Sequence, residues 1–187
     1  AASARPRRLD FQRPLFLQQE RRLTAAERGT AMHLVMQYLE LGGPDPEEQV
    51  RRLTDRRLLT PQQAEAVDME RIRAFLATPL AQEIRQARQV WREYRFALLM
   101  PAALYDPAAE GEELMLQGVV DCAFRTEEGL VVVDFKTDRL APGEEPQRAE
   151  EYRPQLEAYA QALERVMEEK VCRKVLYFFS TGATINL

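Results

Sequence analysis

LMLQGVVDCAFRTEEGLVVVDFKTDR, residues 114–139, reads as a β-hairpin whose two strands bring a pair of carboxylates and a lysine together. Side chains along a strand alternate between faces. On the first strand this puts Leu114, Leu116, Gly118, Val120, Cys122 and Phe124 on one face, and Met115, Gln117, Val119, Asp121 and Ala123 on the other. On the second strand Asp134 and Lys136 share a face. Thr126-Glu127-Glu128-Gly129 has the length and closing glycine of a four-residue hairpin loop. With Arg125 paired to Leu130, Asp121 falls opposite Asp134. Like charges in a cross-strand pair destabilise a sheet, so the pattern predicts a compensating divalent cation between them.

Lys136 follows Asp134 by two residues and points the same way. The chain has three lysines against twenty-three arginines, so a lysine at this point is not compositional background. A surface Asp-Lys ion pair, worth little, is the ordinary reading of an isolated D-x-K. The valines before Asp134 argue against it. A run as apolar as Leu130 to Val133 is typical of a buried strand, and a buried carboxylate needs a partner. A cation beside two acids, with a lysine to orient water or offset developing charge, suits phosphodiester hydrolysis.

GVVD, twelve residues and then DFK resemble the PD-(D/E)XK nuclease signature. Glu27-Arg28-Gly29-Thr30-Ala31-Met32-His33 resembles the helical G-x-x-x-H motif of the RecB-type members, and Gln155-Leu156-Glu157-Ala158-Tyr159 resembles their Q-L-x-x-Y motif. With the ending Leu176-Tyr177-Phe178-Phe179-Ser180, the order is most similar to the nuclease domains of AddA-type members of AddAB helicase-nucleases, from about Phe11 onward. The resemblance implies a metal held by His33, Asp121, Asp134 and the Phe135 carbonyl, with Glu93 as an outer ligand or supporting group. It implies Lys136 as the residue assisting the attacking water. Gln155 and Tyr159, four apart and so on one helix face, would contact DNA or place Lys136. Magnesium is the expected ion, and a histidine in the shell makes manganese a good substitute.

Each of these residues also has a plainer reading. His33, the only histidine, shares its helix edge with Gly29, Gln37 and Glu40 and could be an ordinary helical residue. Glu93, read with Trp91 and Arg95 on one strand face, could pair with an arginine, and Tyr159 could pack on the sheet with Leu156 and Leu163. Cys122 and Cys172 are expected as reduced core thiols. Two cysteines cannot supply the four ligands of the iron-sulfur cluster that several relatives carry, so none is expected.

At 187 residues the chain can bury one sizeable core, and no apolar run reaches membrane-spanning length. The net charge of -4 is unusual for a binder of nucleic acid, although local distribution matters more than the total. Arg5, Arg7, Arg8, Arg13, Arg21, Arg22 and Arg28 make the amino-terminal end basic, either as a DNA surface or as a solvated linker. The chain begins without methionine, which fits a domain from a longer cytoplasmic polypeptide.

Thr24 and Glu27 predict a capping box opening a helix to about residue 41. Residues 46–59 read as a second helix, while Thr60-Pro61 and Thr78-Pro79 mark further helix starts. Residues 90–100 alternate as a strand, 101–113 have loop composition, 141–146 form a polar loop, 150–170 a helix with Pro154 in its first turns, and 171–180 a last strand. The expected fold is therefore α/β: a restriction-endonuclease-like core (αβββαβ, a mixed central sheet flanked by helices) with a helical insertion over 46–88. Residues 1–23 are expected as a basic arm and 24–187 as a single nuclease domain.

The function this implies is a magnesium-dependent deoxyribonuclease of a helicase-nuclease acting in double-strand break repair and recombination. It would cut unwound single-stranded DNA as an exonuclease, beside the helicase part of the same polypeptide and an AddB-type partner subunit. No G-x-x-x-x-G-K-[ST] loop is present for ATP. The competing readings are a catalytically inert nuclease fold that grips DNA or a partner, and a stand-alone resolvase-like enzyme.

Overall fold

The computed structural model describes residues 23–104, 108 and 110–187. The first six of the amino-terminal arginines lie outside that range. Helix α1 (Ala25–Tyr38) starts where the sequence places it: the Thr24 side chain accepts the Glu27 N–H, and Glu27 reaches back to the Thr24 backbone. Four short helices follow, α2 (Pro46–Asp55), α3 (Pro61–Ala66), α4 (Met69–Leu76) and α5 (Pro79–Gln86). Asp45, Thr60, Asp68 and Thr78 cap them in turn, and proline opens three of the four. Helix α4 is not apparent in the sequence, where its only start signal is Asp68.

Strand β1 (Val90–Pro101) leads through a short 3-10 turn, Ala102–Leu104, to β2 (Glu113–Arg125) and β3 (Leu130–Lys136). After these come α6 (Glu145–Met167), β4 (Val171–Phe178) and β5 (Ala183–Asn186). The five strands lie in sequence order in one mixed sheet, with β3 and β4 parallel and the other neighbours antiparallel. This is the expected α/β architecture with one strand more: β5 is four residues long, too short for alternation to reveal it.

Two helical layers cover the sheet. Helices α1 to α5 pack on Cys122, Phe124, Val131, Val133, Phe135 and Tyr177, while α6 packs on Val120, Ala123, Val132, Leu176 and Phe178. Because both faces are covered, β3 is buried from Leu130 to Phe135, which is why it reads as a continuous apolar run. Phe75 of α4 stacks edge-on against Phe135 and Tyr177 at 5.3 and 4.9 Å, fixing the small helices to the sheet. Arg92 reaches under α1 and donates to the carbonyls of Met36 and Leu39 at 2.8 and 2.5 Å, satisfying acceptors that a helix end leaves free.

Several expectations need correction. Helix α6 starts at Glu145, five residues before the position read from the sequence, with Pro146 in its first turn and Pro154 in its interior. A proline in the first turn lacks only an N–H that has no intrahelical partner, so Pro146 opens the helix and does not end the preceding loop. The alternation of β2 also breaks. Val120 and Ala123 share the α6 face while Cys122 and Phe124 lie on the other. Asp121 is the switch point, and Glu93, at the same register position of β1, has φ +50°. Trp91 accordingly lies with Tyr94 on the α6 face, so the single face expected for Trp91, Glu93 and Arg95 does not exist. Cys172 is exposed and is not a core thiol, whereas Cys122 is buried as expected.

Candidate active site

The site lies where β2 and β3 part. Their pairing runs from Arg125–Leu130 to Cys122–Val133, and the next position of the same register joins Asp121 to Asp134. There the ladder stops, and Asp121 Oδ2 accepts the Phe135 backbone N–H at 2.8 Å. Its other oxygen, Oδ1, lies 3.3 Å from His33 Nδ1 on α1. Gly29, one turn before His33, lets α1 close on the segment after β3: a Cβ there would stand 2.9 Å from Thr137 Oγ1. The glycine thus has the close-approach role its spacing suggests, and it holds His33 at the sheet.

Among the described residues, one group of three has metal-ligating atoms all within 4.8 Å of one another: His33, Glu93 and Asp121. The left-handed backbone of Glu93, unfavourable for a side chain without special hydrogen bonding, brings its carboxylate into this group. Burial works against charge on His33, but the Asp121 hydrogen bond and the nearby Asp121, Asp134 and Glu93 carboxylates outweigh it and raise its pKa. The Glu93 pKa is raised by burial and by Asp121, against the opposing pull of His33 and Arg95.

Asp134 is the most buried acid of the site, 4% exposed. Burial, then the Asp121 charge, push its pKa up to about 6 against the opposing pull of Lys136. Lys136 Nζ stands 2.6 Å from Asp134 Oδ2, yet off the line a hydrogen bond needs, and that oxygen has no hydrogen-bond partner. A buried carboxylate oxygen without a hydrogen bond, next to a histidine nitrogen and two further acids, is a donor set that fits a hard divalent cation.

On the α6 side, Lys136 donates to Gln155 Oε1 at 2.9 Å, and Gln155 Nε2 donates to the Tyr159 hydroxyl at 2.9 Å. Tyr159 also stacks edge-on against Phe96 at 5.7 Å, so hydrogen bonding and sheet packing are both present. Gly118 makes room for the two rings, since a Cβ there would lie 2.9 Å from each. Tyr152, which no sequence motif singles out, sets its ring centroid 3.7 Å from Lys136 Nζ and donates to Asp138. The signal for it is the order Arg148, Tyr152, Gln155, Tyr159, spaced 4, 3 and 4 along one helix face. A helix begun at residue 150 cuts that stripe short.

Two hollows meet at Ala26, Gly29 and Thr137. One, of about 420 Å³, contains His33, Glu93 and Asp121. The other, of about 650 Å³, is lined by Arg28, Arg71 and Arg139 together with Asp68 and Asp138. Positive charge is therefore concentrated next to the acidic cluster despite the overall negative balance.

The family model for the PD-(D/E)XK nuclease superfamily matches residues 4–185. This chain belongs to that superfamily. The match takes in the whole hairpin that carries Asp121, Asp134 and Lys136. Proteins named as the A-type subunit of an ATP-dependent helicase/nuclease are similar over nearly the whole length of the chain. The relative from Acetivibrio thermocellus is 44% identical over 179 residues, 93% of this chain and 14% of the relative. Those from Heliobacterium modesticaldum and Bacillus velezensis are 41% and 37% identical, over 94% and 95% of this chain and 13% and 15% of their own lengths. This PD-(D/E)XK chain thus spans about 14% of the length of the relatives it matches. Among the described residues, no helix is long and apolar enough to cross a membrane.

Proposed function

We propose that this chain is a divalent-metal-dependent deoxyribonuclease domain that hydrolyses phosphodiester bonds in single-stranded DNA, as the exonuclease part of a helicase-nuclease in double-strand break repair. The observation that carries the reading is the convergence of His33, Glu93 and Asp121 within 4.8 Å beside the buried, hydrogen-bond-deficient Asp134 and its neighbour Lys136. A module that only gripped DNA would bear the cost of a buried carboxylate with no return from it.

His33, Asp121 and Asp134 would hold the ion, with the Phe135 carbonyl completing the set and Glu93 as an outer ligand or support. When bound, magnesium supplies a Lewis acid for the phosphate oxygen and an activated water, and manganese suits the same shell. Lys136 orients the attacking water and offsets the charge that builds on the phosphate as the new P–O bond forms and the old one breaks. Gln155, held between Lys136 and Tyr159, fixes the direction of the ammonium. Arg28, Arg71 and Arg139 would receive the phosphates of the strand beside the cut.

The names of the relatives support a helicase elsewhere in the same polypeptide, a partner subunit of AddB type and a cytoplasmic setting. Residues 24–187 act as one nuclease domain, with 46–88 as the helical insertion. The reading is tested by cleavage of end-labelled single-stranded DNA with magnesium, with manganese and with chelator. Metal-dependent cleavage lost on Asp134→Ala supports it. Tight DNA binding without cleavage under every metal condition overturns it in favour of an inert module.

A further inference from the structure

Beyond the residues already placed around the metal, Tyr152 lies against the one lysine of the site. Its ring centroid is 3.7 Å from Lys136 Nζ, within cation–π range. The ring is itself tied down. The Tyr152 hydroxyl donates to Asp138 Oδ2 at 2.6 Å, Arg148 Nε donates to the same oxygen at 2.9 Å, and Arg148 Nη2 donates to the Tyr152 hydroxyl at 3.0 Å. Asp138 follows Lys136 on the chain by two residues, so the loop leaving β3 anchors the ring that covers the end of β3.

The ammonium is thereby held from three sides: the Tyr152 face, Gln155 Oε1 at 2.9 Å and Asp134 Oδ2 at 2.6 Å. Only the first two pull it away from Asp134. With the ring removed, the strongest remaining partner is the Asp134 carboxylate, which the proposed metal needs. A flexible four-carbon stem offers no resistance of its own.

We propose that Tyr152, locked by Asp138 and Arg148, is a positioning residue that keeps the Lys136 ammonium directed at the reacting phosphate and off Asp134. This rests on the nuclease reading only for its consequence in turnover. The contact itself can be read without any reaction.

The 187-residue chain, labelled with 13C at its three lysines, reports the contact by NMR. Lys136 ε-protons should be shifted by the Tyr152 ring current, should stay shifted in Tyr152→Phe, and should lose the shift in Tyr152→Leu. On single-stranded DNA with magnesium, Tyr152→Leu should lower kcat roughly 10- to 30-fold, the scale of a desolvated cation–π contact. KM and manganese affinity should hold within about 2-fold, since the ring touches neither strand nor metal. Tyr152→Phe, which keeps the ring and loses the anchor, should recover most of the turnover, with Asp138→Asn behaving like it.

Unshifted Lys136 protons in the unmodified chain overturn the proposal, as does a Tyr152→Leu defect confined to KM, which would make Tyr152 a DNA contact. If Lys136→Ala cleaves normally, the nuclease role of the lysine fails, while the NMR comparison still decides the contact. If Lys136→Ala is inactive and Tyr152→Leu is unimpaired, the positioning role alone fails.

Discussion

Asp121 accepts the backbone N–H of Phe135 at 2.8 Å, across the point at which β2 and β3 cease to pair. One carboxylate oxygen thus replaces a strand contact, and the other faces His33 at 3.3 Å. The site is held open by the residue it uses. A carboxylate that both closes the backbone and faces a histidine has two separable roles, structural and electrostatic.

Those roles should divide between two substitutions. Asp121→Asn keeps an oxygen for the Phe135 N–H and should change stability little, while losing most manganese affinity by calorimetry. Asp121→Ala leaves that N–H without its partner, which costs about 1–3 kcal/mol, and loses the metal as well. Equal melting temperatures for the two variants would show that the Phe135 hydrogen bond contributes nothing to the fold.

Lysine and aspartate should also separate binding from chemistry. Lys136→Ala is expected to lower cleavage by roughly 10² to 10³-fold, the scale of removing one stabilising donor from a transition state, with metal affinity retained. Asp134→Ala should lose both. Calorimetry in which the lysine variant fails to bind manganese as completely as the aspartate variant would overturn the assignment.

Much of this is legible in the chain because the hairpin is governed by local rules. The Thr126 to Gly129 loop and the apolar run of β3 fix a register, and the structure keeps it. The capping signals at Thr24, Thr60 and Thr78 are equally local and equally visible. What escapes depends on tertiary contacts. The face switch at Asp121 and the left-handed Glu93 arise where paired strands bend around a cluster of acids, and strict period-two reading cannot register them. Tyr152 escapes because Pro146 and Pro154 both look like reasons to shorten α6, although only an interior proline opposes a helix.

The raised pKa of Asp134 gives a pH dependence opposite to that of an ordinary paired carboxylate. Its folded value of about 6 lies above the ordinary value of 3.8, so the native state holds the proton more tightly than the unfolded chain. The stabilisation is complete below the unfolded pKa and is lost as pH rises towards about 6. The loss is on the order of 3 kcal/mol for a shift of this size. His33, also raised, adds in the same direction as pH climbs past its unfolded value. In chelator, the melting temperature should therefore fall between about pH 5 and 7, and Asp134→Asn should be more stable than the unmodified chain at neutral pH. Cleavage with magnesium should run the other way, rising as Asp134 ionises. A chelated protein that gains stability over this interval would show that Asp134 is ionised well below it.

The concentration of arginines beside the acidic cluster sets the last expectation. The chain carries -4 overall, so its hold on DNA has to be local, and the 650 Å³ hollow supplies Arg28, Arg71 and Arg139 adjoining the His33 hollow through Gly29 and Thr137. Asp68 and Asp138 are in the same lining and are already engaged, Asp68 with Arg71 and Asp138 with Arg148, so the net attraction is modest. Each phosphate neutralised on a single strand adds roughly 0.7 to the slope of log affinity against log salt. Replacing Arg28 and Arg139 by glutamine should thus lower that slope by about 1.4 when binding is measured in chelator, where nothing is cut. Metal affinity should not change, because neither side chain belongs to the His33, Glu93 and Asp121 group. Cleavage by the 187-residue chain alone should be slow, steeply salt-sensitive and better on single strands than on duplex. A tethered helicase would then raise occupancy through effective concentration without new contacts. An unchanged salt slope in the double variant would move the strand to another face, and rapid degradation of blunt duplex at physiological salt would remove the need for a helicase altogether.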